Sequence, residues 1–100
     1  MFDNDGFLID FKQWHESTAM QIAAEENIDL SPEHWQVIHA ARAYYQAFDM
    51  SPLMRPFIKW MAQTVDPQKA RSAYLMMLFP GKTNKLISKI AGLPKPSNCL

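Results

Sequence analysis

The sequence has one cysteine, three glycines and no long apolar run, and each scarcity excludes a class of protein. With Cys99 alone, the chain cannot form an intramolecular disulfide, which excludes a disulfide-stapled secreted scaffold. The longest uninterrupted apolar run, residues 73–79, is far shorter than the roughly 20 residues that span a bilayer, so no membrane helix is predicted. Gly6, Gly81 and Gly92 are scattered, which excludes a glycine-rich phosphate-binding loop.

No metal or cofactor site is predicted. His15, His34 and His39 do not have the HxxxH or CxxC spacing of metal ligands. A cysteine–histidine hydrolase would need a preorganised nucleophile, which a cysteine at a chain end does not supply. The opening "MFDNDGFLID" carries three aspartates and no basic segment followed by a long apolar one, so it does not resemble a secretory signal. We therefore expect a cytoplasmic protein. His34 and His39, which flank Trp35 on a predicted helix, are expected to lie at the surface or half-buried.

The net charge of zero conceals two oppositely charged halves. Residues 1–50 hold two basic against nine acidic residues, a net of −7, whereas residues 51–100 hold eight basic against one acidic residue, a net of +7. Two interpretations stay open at this point. The halves could simply attract each other across the fold, or the basic half could form a docking face for an acidic partner or RNA.

The local sequence patterns are typical of a helical protein. A Ser or Asp followed by proline begins "SPEHW", "SPLMR" and "DPQKA", and such a pair is typical of a helix N-cap and first position. These predict helices after Ser31, Ser51 and Asp66. A first helix is expected before them, over "HESTAMQIAAEEN" with Met20, Ala23 and Ala24 inward. A last one is expected from about Thr83 to Gly92. Apolar residues at helical spacing predict this core: Trp35, Ile38, Tyr45, Phe48, Phe57, Ile58, Met61, Leu75, Leu78, Ile87 and Ile90.

The ends of the chain are predicted to differ from this helical body. "DNDG" between Phe2 and "FLID" has the chemistry of a hairpin turn. The predicted fold is therefore mainly α, of the α+β class: an orthogonal array of about five helices with a short N-terminal β-hairpin. Residues 1–92 form the single domain, and residues 93–100 form a flexible, extended C-terminal arm.

The arm carries the cysteine. Its "LPKP" favours a semi-rigid polyproline II conformation, and at about 3.1 Å per residue residues 93–100 could extend roughly 25 Å. A thiol near a chain end is accessible, but an isolated one is mostly protonated at neutral pH, so a nearby cation is needed for reactivity. A reactive tip and a chance cysteine on a frayed end both remain possible from composition alone.

Longer motifs resemble one family. "LSPEHWQVIHAARAYYQAFDMSPLMRPFIKWMA", then "YLMMLFP", and above all the ending "SKIAGLPKPSNCL" closely resemble the DsrC/TusE family of small sulfur-carrier proteins. The resemblance runs from "GFLID" to the C-terminus. It departs where the family's usual "LFPxGPAKQ" is replaced by "LFPGKTNKL", and where most of a first β-strand is absent.

The resemblance implies a sulfurtransferase. Family members are helical bundles with a small β-meander that carry a persulfide on the penultimate cysteine, here Cys99, at the tip of a mobile arm. One branch has a second cysteine eleven residues earlier, where this chain has Ser88, so the disulfide chemistry of that branch is not available. The single-cysteine, TusE-like branch receives sulfur from a TusBCD-type complex and passes it to the tRNA thiouridylase MnmA for 2-thiolation of the wobble uridine. The basic positions that match the family, as thiolate-stabilising or partner-docking residues, are Arg55, Lys59, Lys85, Lys89 and Lys95.

Two alternatives accompany this hypothesis. A single-cysteine carrier could serve another sulfur-oxidation or sulfite-reductase partner instead of tRNA thiolation. The helices around "FDMSP" could also form a helix-turn-helix that binds DNA through Arg55 and Lys59, although Pro52, Pro56 and Trp60 are poor base-reading residues.

Overall fold

Five α-helices follow one another in the part of the chain that this computed structural model describes, residues 2–96. Two short 3-10 turns, Phe11–Gln13 and Pro67–Lys69, precede the first and the fourth helix. The mainly helical fold predicted from the sequence is confirmed. The helices are α1 (Glu16–Glu25), α2 (Pro32–Phe48), α3 (Met54–Thr64), α4 (Ser72–Leu78) and α5 (Thr83–Ile90).

The prediction of an N-terminal β-hairpin is wrong, because residues 2–96 contain no strand. Phe2 and Leu8 form one isolated antiparallel bridge around a turn in which Asp3 accepts the amide hydrogens of Asp5 and Phe7 at 2.9 Å. A strand alternates buried and exposed side chains. Here Phe7 and Leu8 are adjacent and both buried, so the segment folds inward after a single pair.

The caps of α2 match the expectation. The Ser31 hydroxyl accepts the amide hydrogen of His34, and Pro32 occupies the first helical position. His34 completes the cap: its Nδ1 accepts from the Ser31 amide at 3.1 Å, which leaves the proton on Nε2 for the carbonyl of Leu78 at 2.8 Å. The expectation of a surface or half-buried histidine is therefore wrong for His34, which is buried because both ring nitrogens have partners and which ties α2 to the end of α4.

Two other predicted caps do not begin the helices assigned to them. The N-cap of α3 is Leu53, two residues after Ser51. The Ser51 hydroxyl donates instead to the carbonyl of Pro94. Asp66 caps only the second 3-10 turn, and α4 begins six residues later at Ser72. In both cases the Ser/Asp–Pro pair marks a turn, and the α-helix starts after it.

The core lies around α2, which packs against α3 and α5, while α5 also packs against α1. Most of the predicted core is buried, with Trp35, Tyr45 and Ile58 partly buried against it. Phe48 is wrong: it is 52% exposed at the last residue of α2, with its ring 4.6 Å from that of Tyr44. The inward face of α1 is also shifted by one residue, since Ala19, Ile22 and Ala23 are buried while Met20 and Ala24 are exposed.

Among the described residues, none of the helices has the length and apolar character needed to cross a membrane.

Candidate functional site

The candidate site is the place where the C-terminal segment leaves the helical body. Cys99, the predicted sulfur-bearing residue, lies outside the described residues, three positions beyond Pro96. The structure does describe the segment that leads to it. We call residues 90–93 the arm root and residues 94–96 the arm base.

A Schellman motif ends α5 at the arm root. The amide of Gly92 donates to the carbonyl of Lys89 at 3.2 Å, and the amide of Leu93 donates to the carbonyl of Ser88 at 2.9 Å. Gly92 has a φ of +73°, as its predicted position just past the helix requires. These bonds reverse the chain direction at a defined residue.

Side chains from two other elements clamp the arm root. Trp14 Nε1 donates to the carbonyl of Ile90 at 2.9 Å, and Arg42 Nη1 donates to the carbonyl of Ala91 at 2.8 Å. Both carbonyls lie at the helix end, where no further turn of helix supplies a donor. The indole also covers Gly92 closely, since a Cβ there would lie 2.4 Å from Trp14 Cδ1. The direction in which the chain leaves α5 is therefore fixed by packing.

Arg42 holds this clamp together without a carboxylate among the partners that the structure gives it. Its guanidinium lies 3.8 Å from the centre of the Phe11 ring and 4.1 Å from that of Trp14, and Nη2 donates to the carbonyl of Phe11 at 3.2 Å. Burial lowers the pKa of the Arg42 guanidinium to about 10, which leaves it protonated at neutral pH. The clamp thus combines two aromatic faces and two carbonyls around one cation.

The packed body continues past the predicted domain boundary at residue 92. Leu93 is 0% exposed and belongs to the core, and Pro96 is buried. The start of the predicted flexible arm at residue 93 is therefore corrected: its first part packs on the domain because an apolar side chain follows Gly92. The rest of the predicted arm, residues 97–100, lies outside the described residues.

The arm base is attached to the body by polar contacts on two sides. The Ser51 hydroxyl, in the connection between α2 and α3, donates to the carbonyl of Pro94. Lys95 Nζ lies 3.3 Å from Asp5 Oδ2 in the N-terminal turn. A shallow groove of about 300 Å³ runs along the arm base, lined by Tyr45, Asp49, Met50, Ser51, Pro94, Lys95 and Pro96.

The predicted basic residues divide into two groups. Lys85 and Lys89 line one cleft of about 330 Å³ with Lys82, Asp5 and Glu26. Lys89 Nζ is 2.7 Å from Glu26 Oε2. Residues 2–96 contain two lysine–carboxylate ion pairs, Lys89 with Glu26 and Lys95 with Asp5, and each joins the basic half to the acidic half. For these two lysines, the interpretation that the halves attract each other across the fold is therefore favoured.

Arg55 and Lys59 lie apart from that group. Both are exposed on α3, and neither forms an ion pair or a side-chain hydrogen bond with another described residue. Neither lines the groove along the arm base or the lysine cleft. Both charges are therefore available to a partner. Among the described residues, no side-chain contact joins Arg55 or Lys59 to the arm base.

Ser88 occupies the position of the second cysteine in the redox branch of the resembled family. It is 0% exposed, and its hydroxyl has no hydrogen-bond partner among the described residues. An alcohol cannot form a disulfide, so position 88 supplies no sulfur chemistry.

Trp14 and Arg42 were not identified as site residues from the sequence. The available signal was an arginine within the apolar stripe of α2, where a charged residue needs special partners. Those partners are distant in sequence, since Arg42 contacts Ala91 across 49 positions and Trp14 contacts Ile90 across 76.

Comparison with known proteins identifies the family of this chain. A family model described as DsrC like protein matches residues 1–100. The sulfurtransferase TusE of Escherichia coli (strain K12) is 45% identical over 98 residues, which are 98% of this chain and 90% of that protein. The sulfurtransferase TusE homolog of Haemophilus influenzae is 44% identical over the same shares. The NMR structure of Allochromatium vinosum DsrC superimposes with a TM-score of 0.88 at 33% identity, covering 99% of this chain and 88% of that one. This chain belongs to the DsrC-like protein family.

Proposed function

We propose that this chain is a sulfurtransferase that carries sulfane sulfur as a persulfide on Cys99 and delivers it to an acceptor cysteine. The relay it serves is 2-thiolation of the tRNA wobble uridine. The observation that carries the proposal is the match over 98% of the chain to proteins named sulfurtransferase TusE. Cys99 is the only cysteine of the sequence, which supports it as the carrier.

The chemistry needs a thiolate, access and a docked partner, but no resident metal or cofactor. The Cys99 thiolate attacks the terminal sulfur of a donor's cysteine persulfide, R–S–SH. The donor's S–S bond breaks, its cysteine leaves as R–S⁻, and Cys99 becomes Cys99–S–SH. Delivery repeats the step with the acceptor's thiolate as nucleophile and Cys99 as leaving group. No electrons are gained or lost overall.

Position 88 restricts where the sulfur can go. Cys99 is the sole thiol, and Ser88 stands where a second cysteine would be needed for an internal disulfide. A persulfide on Cys99 therefore has no internal thiol to attack it. Its sulfur leaves only to a thiol from outside the chain.

The five predicted basic residues are proposed to have two different roles. Lys89 is occupied by Glu26, and Lys95 is in contact with Asp5, so neither is an uncommitted cation in the described structure. Arg55, Lys59 and Lys85 have no such ion pair among the described residues, and they are the proposed docking charges. Arg55 and Lys59 are exposed and Lys85 is half-buried. Charges at a protein surface speed association with an oppositely charged partner more than they increase affinity.

A loading experiment tests the carrier chemistry. The purified chain is treated with a small-molecule polysulfide and weighed intact by mass spectrometry. We expect the mass of one added sulfur in the wild-type chain and in Ser97→Ala, a neighbouring control substitution, and none in Cys99→Ser. Added sulfur that persists in Cys99→Ser would overturn the proposed site.

A genetic experiment tests the relay. The proposed partners are a TusBCD-like donor complex and an MnmA-like thiouridylase acting on tRNA in the cytoplasm. Deleting the gene should abolish wobble 2-thiouridine, and a plasmid with the wild-type sequence, but not with Cys99→Ser, should restore it. Normal thiolation in the deletion strain would instead favour a single-cysteine carrier for another sulfur-oxidation or sulfite-reductase partner.

A further inference from the structure

The lysine cleft, of about 330 Å³, lies between three parts of the fold: the N-terminal turn, the end of α1 and the start of α5. Lys82, Lys85 and Lys89 line it from α5 and the turn before α5, and Asp5 and Glu26 line it from the other two parts. The cleft is therefore a concave surface in which the basic half of the chain meets the acidic half.

The cleft holds more positive charge than its carboxylates neutralise. Glu26 is 2.7 Å from Lys89 Nζ, and Asp5 is 3.3 Å from Lys95 Nζ, which approaches it from the arm base. Four lysines are thus set against two carboxylates, which leaves a net charge of +2. A concave surface with an excess of one sign of charge focuses the electric field and attracts ions of the opposite sign.

The excess charge belongs to Lys82 and Lys85. Lys82 is exposed and Lys85 is half-buried, and neither side chain forms an ion pair or a hydrogen bond with any residue that the structure describes. A half-buried ammonium has lost part of its hydration, and an incoming anion supplies the acceptor that replaces it. The two residues are three positions apart at the start of α5, a spacing at which side chains lie on the same face of a helix.

The composition of the cleft favours phosphate over a protein surface as the anion. Protein–protein interfaces are enriched in aromatic residues, methionine and arginine and depleted in lysine, aspartate and glutamate. Among the described residues that line the cleft, none is aromatic, methionine or arginine, and five of the eight are lysine, aspartate or glutamate. Lysine binds phosphate as a point charge, and interfaces with nucleic acids are much more positively charged than those between proteins.

We propose that the lysine cleft binds a phosphate of an RNA backbone through Lys82 and Lys85, and that this RNA is the tRNA that receives the sulfur. The identity of the RNA rests on the proposed function. Lys89 and Lys95 neutralise the two carboxylates, which would otherwise repel a phosphate. Phosphate contacts fix position and orientation on a nucleic acid without reading its sequence. The cleft therefore holds the chain beside the tRNA, and recognition of the wobble uridine is left to the thiouridylase.

The test compares three double variants of the full chain. Lys82→Gln/Lys85→Gln removes both free charges and keeps most of each side chain. Lys82→Arg/Lys85→Arg keeps the charges. Lys12→Gln/Arg71→Gln removes two charges at exposed positions that do not line the cleft. Each variant, without sulfur, is titrated with an unmodified tRNA transcript that has a wobble uridine, at several salt concentrations, and binding is followed by NMR.

We expect Lys82→Gln/Lys85→Gln to bind the tRNA about tenfold more weakly than the wild-type chain at low salt, because two phosphate contacts and their released counterions are lost. The slope of log K against log salt should become shallower by between about one and two. The arginine variant should keep both the affinity and the slope. Lys12→Gln/Arg71→Gln should lose less than about twofold, because salt screens charges outside the contact.

Two results of this titration would overturn the proposal: no tRNA binding by the wild-type chain at low salt, or equal affinity of the wild-type chain and the glutamine variant of the cleft. A transcript with another wobble base should bind as tightly as the first, since phosphates carry no sequence information.

The same spectra locate the contact. The tRNA should shift the amide signals of Gly81, Lys82 and Lys85 more than those of Arg55 and Lys59 on α3, and larger shifts on α3 would contradict the cleft. A parallel titration uses the MnmA-like thiouridylase without RNA. If the glutamine variant of the cleft binds that protein more weakly and the tRNA equally well, the cleft is a docking site for an acidic protein and the proposal is wrong.

The outcome is separable from that of the carrier chemistry, because no sulfur is present in these titrations. Loading of Cys99 by a small-molecule polysulfide should be equal in the wild-type chain and in Lys82→Gln/Lys85→Gln. If the wild-type chain takes no sulfur but its tRNA binding depends on the two lysines, the proposed function fails and the RNA site stands. If sulfur loads on Cys99 but tRNA binding is indifferent to the two lysines, the RNA site alone is overturned.

Discussion

The arm root and the arm base are adjacent in sequence and opposite in design. At the root, Trp14 and Arg42 donate to main-chain carbonyls, an indole covers Gly92, and Leu93 is buried. At the base, the Ser51 hydroxyl donates to the carbonyl of Pro94, and the exposed ammonium of Lys95 lies next to Asp5. The difference shows that buried contacts set the direction in which the chain leaves α5, whereas the next two residues, Pro94 and Lys95, are held at the surface.

The largest expected effect on the free energy of unfolding comes from adding a side chain at Gly92, beneath the Trp14 indole. Gly92→Ala places a Cβ 2.4 Å from Trp14 Cδ1 at a φ of +73°, so a steric clash adds to the backbone strain. We expect a loss of about 3 kcal/mol in the free energy of unfolding, measured with urea. Gly81→Ala is the matched control, because Gly81 has a φ of +100° with nothing within 4 Å, and should lose only about 1–2 kcal/mol. Equal losses would show that Trp14 does not press on the arm root.

The next effect comes from removing the cation of the clamp. Arg42→Met keeps an apolar stem of similar length but leaves the carbonyl of Ala91 without its donor and removes one of the two donors to the carbonyl of Phe11. We expect a loss of about 2 kcal/mol. Arg55→Met, on the exposed face of α3, should change stability by less than about 0.5 kcal/mol. A loss at Arg42 no larger than at Arg55 would contradict the clamp.

Sequence reasoning succeeded where the responsible contacts are local. The start of α2 follows from Ser31 and Pro32, and the end of α5 follows from Gly92, because each cap bonds residues only a few positions away. It failed at Ser51, whose hydroxyl bonds a carbonyl 43 positions away in place of a helix amide. The same limit hid the clamp at Arg42, whose partners are brought together only by the tertiary fold.

The site itself shows the same division. Cys99 stood out from its position in the sequence, and family membership supports the role proposed for it. The neighbours of the arm could not be predicted. Asp5 and Lys95 lie 90 positions apart, and no local sequence pattern links them. Packing of Leu93 was missed for a related reason, since a proline-rich segment after a helix end is usually exposed.

A smaller effect of opposite sign is expected just before the arm root. The Ser88 hydroxyl is buried without a hydrogen-bond partner among the described residues, which costs free energy in the folded state. Ser88→Ala should raise the free energy of unfolding by about 1 kcal/mol. Ser17→Ala shares the gain in helix propensity without the burial, and it should change stability by less than about 0.5 kcal/mol. A loss at Ser88 would mean that its hydroxyl is satisfied in solution.

The smallest effect is expected at the arm base, and it completes the comparison. Lys95→Gln removes an ion pair whose side chains are both largely in solvent, so water and salt already screen its charges. We expect a change of less than about 0.5 kcal/mol in the free energy of unfolding. Lys89→Gln is the matched substitution: its ion pair with Glu26 is shorter, at 2.7 Å, and its side chains keep only 18% and 30% of their accessible surface. Its removal should cost about 1 kcal/mol and depend less on salt, because partly buried charges are screened less. If Lys95→Gln costs as much as Arg42→Met, the ion pair between Lys95 and Asp5 contributes to stability as the contacts of the arm root do.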